Sequence, residues 1–289
     1  MNHRFEVTEG GARLDAFLAH IAPEYSRSFW QKQTENGVVL VNGAVNKSSY
    51  KVAVGDVVTA TLPEKPDFST QELPVIYQDD DVMVVNKPAG LLTHAKGVQS
   101  EEFSVGEFMR TRTTDAADTN RPGIVHRLDR ATSGVMVAAK NPMAKLWLQK
   151  QFSQRKVKKT YIALVVGHPK EPAATIQLPI ERNPKKPQTF RVGGNGKPSE
   201  TAYVTLASYK NATLLELTPH TGRTHQLRVH LAYLHCPIIG DELYGKAQSH
   251  LGRMFLHAAK LELTLPSRER RTFEAPLPAE LQSYLKSLT

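Results

Sequence analysis

The chain has 289 residues, 40% of them hydrophobic, which is enough for one large domain or one medium and one small one. Its net charge of +9 and pI near 9.5 point to a polyanionic partner, and its single cysteine, Cys236, excludes an internal disulfide. No apolar run approaches the roughly 20 residues that cross a bilayer, no Cys/His cluster has zinc-site spacing, and the first residues lack a secretion pattern, so a cytoplasmic protein without a membrane partner is expected.

Residues 1–60 read as a small α+β unit. Leu14, Phe17, Leu18 and Ile21 form a helical stripe that Pro23 ends. A second helix follows, with Ser26 as N-cap and Gly37 at its C-terminal end. The run Val38–Asn46 predicts a hairpin turning at Asn42–Gly43, and Tyr50–Pro63 two short strands around Gly55–Asp56. Six Lys/Arg and six Asp/Glu leave this unit with no net charge, so any affinity for a polyanion must come from one face; Arg13, Arg27 and Lys32 on the helical pair are the candidates.

Residues 61–74 are rich in proline and polar side chains and predict a linker to a second domain over 75–289. Val75–Pro88 predicts a hairpin with its turn at Gln78–Asp81, and 100–121 a short helix and a mobile loop. Asn141–Val157 predicts a helix burying Leu146, Trp147 and Phe152, with a basic end running into Lys158 and Lys159. Between Arg182 and Ser199 lie five basic residues and no acid, among them Lys185, Lys186 and Arg191; with its Gly/Pro content this segment predicts a flexible arm for a phosphate backbone.

The most informative stretch is RPGIVHRLDRATSGVMVAAK, Arg121–Lys140. Asp129 stands between Arg127 and Arg130, ahead of small turn residues and an apolar run that reads as a buried strand. A carboxylate on a loop beside a rigid strand is placed for chemistry, although this stretch taken alone reads first as a plain surface ion pair, an Asp flanked by arginines.

These residues resemble the catalytic motif of the RluA-type RNA pseudouridine synthases: His126, Arg127, Leu128 and Asp129, two variable residues, then Thr132, Ser133 and Gly134. Three further segments agree in order: NKPAGLLTHAKG (Asn86–Gly97), KKTYIALVVG (Lys158–Gly167) and LTPHTGRTHQLRVHLAYLHCPIIGDELYG (Leu217–Gly245). The first unit resembles the RNA-binding domain named after the fourth small-subunit ribosomal protein, through Arg13–Leu14–Asp15, Ser26–Arg27, Gln31, Gly37, Val41–Asn42–Gly43 and Gly55–Asp56; a polar Thr34 stands where that pattern has an apolar residue.

The resemblance implies a mixed, largely antiparallel sheet with flanking helices beside the small N-terminal domain, an α+β architecture. It also implies the reaction. Uridine is converted to pseudouridine by breaking the bond from ribose to base nitrogen, turning the base, and rejoining it through carbon. Nothing is oxidised and no group is imported, so no cofactor or metal is expected. Asp129 is then the essential carboxylate, attacking the anomeric carbon or removing the 2′ proton. Arg228 of Gln226–Leu227–Arg228 would hold it ionised through a bidentate contact, and Tyr161 would stack on the uracil and help remove the carbon-5 proton. Arg127 would fill the space that the flipped base leaves, and Arg130, Lys158 and Lys159 would contact the RNA. His126 reads as a structural histidine, and His220, His225 and His230 fall on no common face that could hold a metal. A monomer acting on large-subunit ribosomal RNA is the leading expectation; transfer RNA is the alternative substrate, and an RNA-binding ribosome-assembly factor the alternative class. A glycosidase needs a second carboxylate motif that the sequence lacks.

Overall fold

The computed structural model describes residues 2–62, 64, 66–95, 102–115, 119–245 and 251–288. Lys96 and Gly97 of the Asn86–Gly97 segment, and parts of the expected linker and loop, lie outside the described residues.

The N-terminal region carries a four-stranded antiparallel sheet of β1 (Asn2–Glu6), β2 (Val39–Val41), β3 (Ala44–Val45) and β4 (Val57–Thr61) in the order β1-β4-β2-β3, with helices α1 (Leu14–Ile21) and α2 (Arg27–Glu35). Leu14, Leu18 and Trp30 pack against Val39, Val41 and Val58 to form its core. Ser26 caps α2 by accepting the Phe29 N–H at 3.2 Å, and Gly37 follows the helix at φ 74°. Asn42 and Gly43 both have positive φ (50° and 79°), as a tight hairpin turn between twisted strands requires. Two expectations are corrected. Strand β1, which the periodicity did not show, pairs with β4; and the segment before Gly55 is a loop, because its backbone pairs with residues 11–13 instead of a strand partner. Thr34 is buried where an apolar residue was expected, its hydroxyl donating to the Trp30 carbonyl at 2.7 Å, so no polar atom is stranded.

The larger region holds β5 (Val75–Gln78), β6 (Val82–Lys87), α3 (Val105–Met109), β7 (Ser133–Ala139), α4 (Pro142–Ser153), β8 (Lys158–Val166), β9 (Ala173–Gln177), β10 (Ile180–Arg182), β11 (Phe190–Val192), β12 (Glu200–Tyr209), β13 (Ala212–Pro219), α5 (Gln226–Tyr233), β14 (Leu256–Thr264), β15 (Arg270–Glu274) and α6 (Ala279–Lys286). Its main sheet runs β5-β6-β7-β14-β8-β13-β12-β9, with β15 also on β14, and is antiparallel except for β7 beside β14. The Val75–Pro88 hairpin turns at Asp79–Asp81, where Asp79 Oδ1 accepts the N–H groups of Asp81 and Val82.

Strand β7 is buried along its whole length. Val135 and Val137 face α4 residues Ala144 and Leu148; Met136 and Ala138 face α3 residues Phe108 and Met109. A strand covered on both faces reads as a continuous apolar run, which is why it was legible. Helix α4 departs from expectation: Leu146 is 63% exposed, and Ala144, Leu148 and Gln151 make the buried face, with Trp147 and Phe152 at its border. The stripe drawn through Leu146 was rotated away from the true one. In the N-terminal half of the expected linker, residues 63 and 65 are not described; at its C-terminal end Leu73 is buried against Met83 and Phe108, and Glu72 pairs with Arg112 at 2.5 Å.

One row of register positions builds the site. Gly134 on β7 pairs with Ala258 on β14, Ala258 with Tyr161 on β8, and Tyr161 with Leu217 on β13. Gly134 sits at φ 120°, and a Cβ there would lie 2.1 Å from the Ala258 carbonyl oxygen, so only glycine permits the parallel pairing. The loop before β7, residue 161 and the connection from β13 to α5 are thereby brought to one place.

Candidate active site

Asp129 lies on the loop entering β7, its carbonyl accepting the Thr132 N–H at 3.0 Å, with 19% of its side chain exposed. Arg228 projects from α5 and is 7% exposed; its Nη1 is 3.4 Å from Asp129 Oδ2. Val125–Asp129, Tyr161 and the 219–228 connection line one cleft of about 500 Å³. A second cleft opens on the other side of Asp129, lined by Lys87–Gly90, Arg130, Asp241–Leu243 and Arg253; Arg127, His225 and Arg228 border both.

The bidentate contact expected between Arg228 and Asp129 is made elsewhere. Arg228 Nε and Nη2 donate to Asp241 Oδ2 and Oδ1, each at 2.7 Å, and Asp241 is fully buried. Asp241 also accepts the N–H groups of Leu243 (3.0 Å) and Tyr244 (3.2 Å). Thus Asp241 takes the fork and leaves one guanidinium nitrogen for Asp129. Burial opposes the Arg228 charge, but the Asp241 carboxylate outweighs it and holds the guanidinium above its ordinary value. Arg228 also lies over the Tyr244 ring at 5.0 Å.

Burial, and then the charge of Asp129, push the Tyr161 phenol well above its ordinary value, so the free site presents a neutral hydroxyl. His126 is structural: its Nε2 accepts the Val137 N–H at 3.1 Å, it stacks on Phe152 at 4.6 Å, and burial lowers it to about 3. His230 bonds Thr201 and Leu178, and His220 is exposed. His225 stands apart from both, with Nε2 3.9 Å from Asp129 Oδ2.

Lys87 is fully buried beside the same loop. Its ammonium donates to the carbonyls of Pro88 (2.9 Å), Leu91 (2.8 Å) and Arg130 (3.3 Å), and burial lowers it to about 7. Ser133 accepts Arg253 Nη2 at 2.6 Å and contacts His257 Nδ1 at 2.9 Å, tying β7 to β14 below Asp129. Asp241, Tyr244, Lys87 and Arg253 carried no signal of periodicity or spacing. Asp241 and Tyr244 lie in GDELYG, and Lys87 in NKPAG, within segments whose resemblance was visible but whose partners were not.

The expected RNA-facing residues divide. Arg127 is exposed at the mouth of both clefts, without a carboxylate partner among the described residues. Arg130 is half-exposed and pairs with Glu102 at 2.8 Å. Lys158 is exposed; Lys159 lines the cleft, donates to the Thr221 carbonyl at 3.3 Å, and is lowered by burial to about 8. The expected flexible arm contains the hairpin β10–β11. Arg191 pairs with Glu181 at 2.7 Å, Arg182 lies over Phe190, and the Phe190 N–H donates to Tyr244, so only Lys185 and Lys186 of its three expected contacts project freely. Composition signalled the charge there but not the aromatic anchor.

In the N-terminal region, buried Asp15 gathers the arginines. Arg13 Nη2 (3.1 Å), Arg27 Nε (3.2 Å) and Gln31 Nε2 (2.6 Å) all reach Asp15 Oδ2, while the two arginine side chains stay 42% and 52% exposed. Burial pushes the Asp15 carboxyl up, but those donors together carry it far below the usual range. Lys32 is exposed on α2. Among the described residues no group of histidine, cysteine or carboxylate side chains could hold a metal, and no helix is long and apolar enough to cross a membrane.

The family model for RNA pseudouridylate synthase matches residues 81–233, and that for the S4 domain residues 12–58. An RNA pseudouridine synthase of Bacillus subtilis is 37% identical, over 96% of this chain and 94% of its own. The ribosomal large subunit pseudouridine synthase C of Vibrio vulnificus is 37% identical, over 96% of this chain and 93% of its own. The structure of human RNA pseudouridylate synthase domain containing 1 superposes with a TM-score of 0.60 at 29% identity, covering 75% of this chain and 95% of that one. With the Asp129 loop, Tyr161 and Arg228 gathered at one cleft and relatives matching along nearly its whole length, the chain belongs to the RluA-type RNA pseudouridine synthases, isomerases carrying here an N-terminal S4 domain.

Proposed function

We propose that the protein isomerises specific uridines to pseudouridine in large-subunit ribosomal RNA, with Asp129 as the essential carboxylate. The observation that carries this reading is the meeting of Asp129 and Arg228, 99 residues apart in sequence and 3.4 Å apart in space, in a cleft that Tyr161 also lines. Arg228, oriented by Asp241, keeps one guanidinium nitrogen on Asp129 Oδ2 and so fixes where the carboxylate stands. Asp129 then attacks the anomeric carbon or takes the ribose 2′ proton. Tyr161 offers its ring to the uracil. Because its phenol stays protonated, it receives the carbon-5 proton only by passing its own proton to a second acceptor; Asp129 is the charged neighbour that serves.

Residues 1–60 act as the RNA-binding unit, 61–74 as the connection and 75–289 as the isomerase of a cytoplasmic monomer. Arg13, Arg27 and Lys32 face the backbone of the RNA, as do Arg130, Lys158, Lys159, Lys185 and Lys186; Arg127 enters the space of the flipped base. The substrate reading rests on the Vibrio vulnificus relative, named for the large ribosomal subunit.

Pseudouridine mapping by carbodiimide-block primer extension tests this, comparing wild-type, deletion and Asp129→Ala strains. Stops in large-subunit RNA that vanish in both mutants support it. Stops lost only from transfer RNA overturn the substrate. Unchanged stops, with assembly impaired only by the deletion, point to a binding factor.

A further inference from the structure

His225 has no part in the proposal above, yet four observations single it out. It is the residue before α5, at φ 56° and ψ 19°, a left-handed backbone that a non-glycine side chain adopts at a cost and that concentrates at functional sites. Its ring is held edge-on by Phe190 and Tyr244, each 5.6 Å away. It borders both clefts that meet at Asp129. Its two nitrogens also have different, defined neighbours: Nδ1 is 2.8 Å from the Tyr244 hydroxyl, and Nε2 is 3.9 Å from Asp129 Oδ2.

The tautomer of His225 turns on its bond to Tyr244. Tyr244 oxygen accepts the Phe190 N–H at 2.8 Å, and a backbone N–H can only donate. With the Tyr244 hydroxyl proton directed to His225 Nδ1, a neutral His225 carries its proton on Nε2, toward Asp129, and that is the arrangement the inference takes and the second arm of its test reads. Burial favours the neutral ring; Asp129 and Asp241 pull the other way, and Arg228 and Arg127 add to the effect of burial, leaving His225 below its ordinary value. Arg228 Nη1 and His225 Nε2 both approach Oδ2, so Oδ1 is the oxygen left for the ribose.

We infer that His225 is a positioning residue for Asp129: with Tyr244 fixing its tautomer, its Nε2–H and Arg228 together hold Oδ2 and direct Oδ1 at the sugar. The inference rests on the proposed function. At 3.9 Å the contact is not yet a hydrogen bond; it closes on the way to the transition state, as catalytic contacts that are long in a free site commonly do. The same chain ties the β10–β11 hairpin, through the Phe190 backbone, to the carboxylate.

Replacements that mimic one nitrogen at a time test this. His225→Gln extends an amide N–H to the Nε2 position, His225→Asn places one only near Nδ1, and His225→Phe keeps the ring alone. Single-turnover rates and affinity are measured on large-subunit RNA from the deletion strain. Loss of one hydrogen bond to a charged group slows His225→Asn and His225→Phe roughly 10- to 100-fold. His225→Gln stays within about threefold of wild type, and RNA affinity within about twofold throughout, since no binding contact is removed. Equal rates for Gln and Asn, or a wild-type rate for Phe, overturn the inference.

A second arm needs no turnover. Nitrogen-15 spectra of histidine-labelled protein are expected to show the Nε2–H tautomer at His225, with its titration moved to lower pH by Asp129→Ala, which removes a charge favouring the protonated ring. An Nδ1–H tautomer or an unmoved titration overturns the contact. If wild-type protein forms no pseudouridine in any RNA while these spectra appear as expected, the proposed function fails and the contact stands.

Discussion

Asp241→Ala is the substitution on which the geometry bears hardest. It removes a fully buried carboxylate that accepts two charge-assisted bonds from Arg228 at 2.7 Å and two backbone N–H bonds. Each bond to a charged group contributes roughly 1.5–3 kcal/mol, and breaking one side of a buried pair costs about 3–5 kcal/mol because the remaining charge is stranded. Among the described residues, Arg228, 7% exposed, then has the 3.4 Å contact with Asp129 and the face of the Tyr244 ring left. A loss of about 3–5 kcal/mol is therefore expected, a large part of the 5–15 kcal/mol typical of folded domains. Urea unfolding followed by far-ultraviolet circular dichroism measures it, with a fall in the midpoint at an unchanged slope. Arg228→Met separates the pair from its surroundings. In the cycle of both singles and the double, the double variant should be less destabilised than the sum of the singles by at least about 2 kcal/mol. A loss below about 1 kcal/mol for Asp241→Ala, or additive singles, would show that Arg228 is held by something other than Asp241 and refute the reasoning.

Gly134→Ala places a methyl 2.1 Å from the Ala258 carbonyl oxygen at φ 120°, so the β7–β14 pairing must open; insoluble protein or a midpoint lowered by more than about 10 °C is expected on heating, and a near-wild-type melt would contradict the register. His126, lowered to about 3, binds a proton more readily when unfolded, so its contribution to stability is complete above about pH 6.5 and is lost as pH falls from there toward 3. His126→Gln should flatten that acid limb of urea stability; an unchanged limb assigns the loss to other groups. Asp15→Asn removes the charge that gathers Arg13 and Arg27; filter binding should show weaker RNA affinity and a shallower salt dependence, and affinity raised by the extra net positive charge would show that the ordered pair does not matter.

Local signals carried much of the architecture. Strand β7 is covered on both faces and therefore appears as an unbroken apolar run; Ser26, Gly37 and Asn42–Gly43 have requirements that only a few residue types meet. Helix α4 shows the limit, since its stripe has to be chosen among Leu146, Trp147, Leu148 and Phe152, and only the sheet beneath selects Leu148. Strand β1 is recognisable only through its partner β4. The charged residues of the β10–β11 hairpin were evident, but that Glu181 holds Arg191 and that Phe190 seats the hairpin on Tyr244 depend on pairing.

For the site, the residue types were legible in the sequence: an Asp between two arginines ahead of a buried strand, a tyrosine in an apolar strand, and an arginine after Gln226–Leu227 resemble a known set. Which of them touch was decided by the tertiary structure. Arg228 forks onto Asp241 instead of Asp129, Lys87 is buried against three carbonyls, and His225 faces Asp129, because the Gly134–Ala258–Tyr161–Leu217 row brings distant loops to one edge. A side chain's type is fixed by its own position, whereas its partners follow from the closure of several long loops at once, which no local pattern of residues encodes.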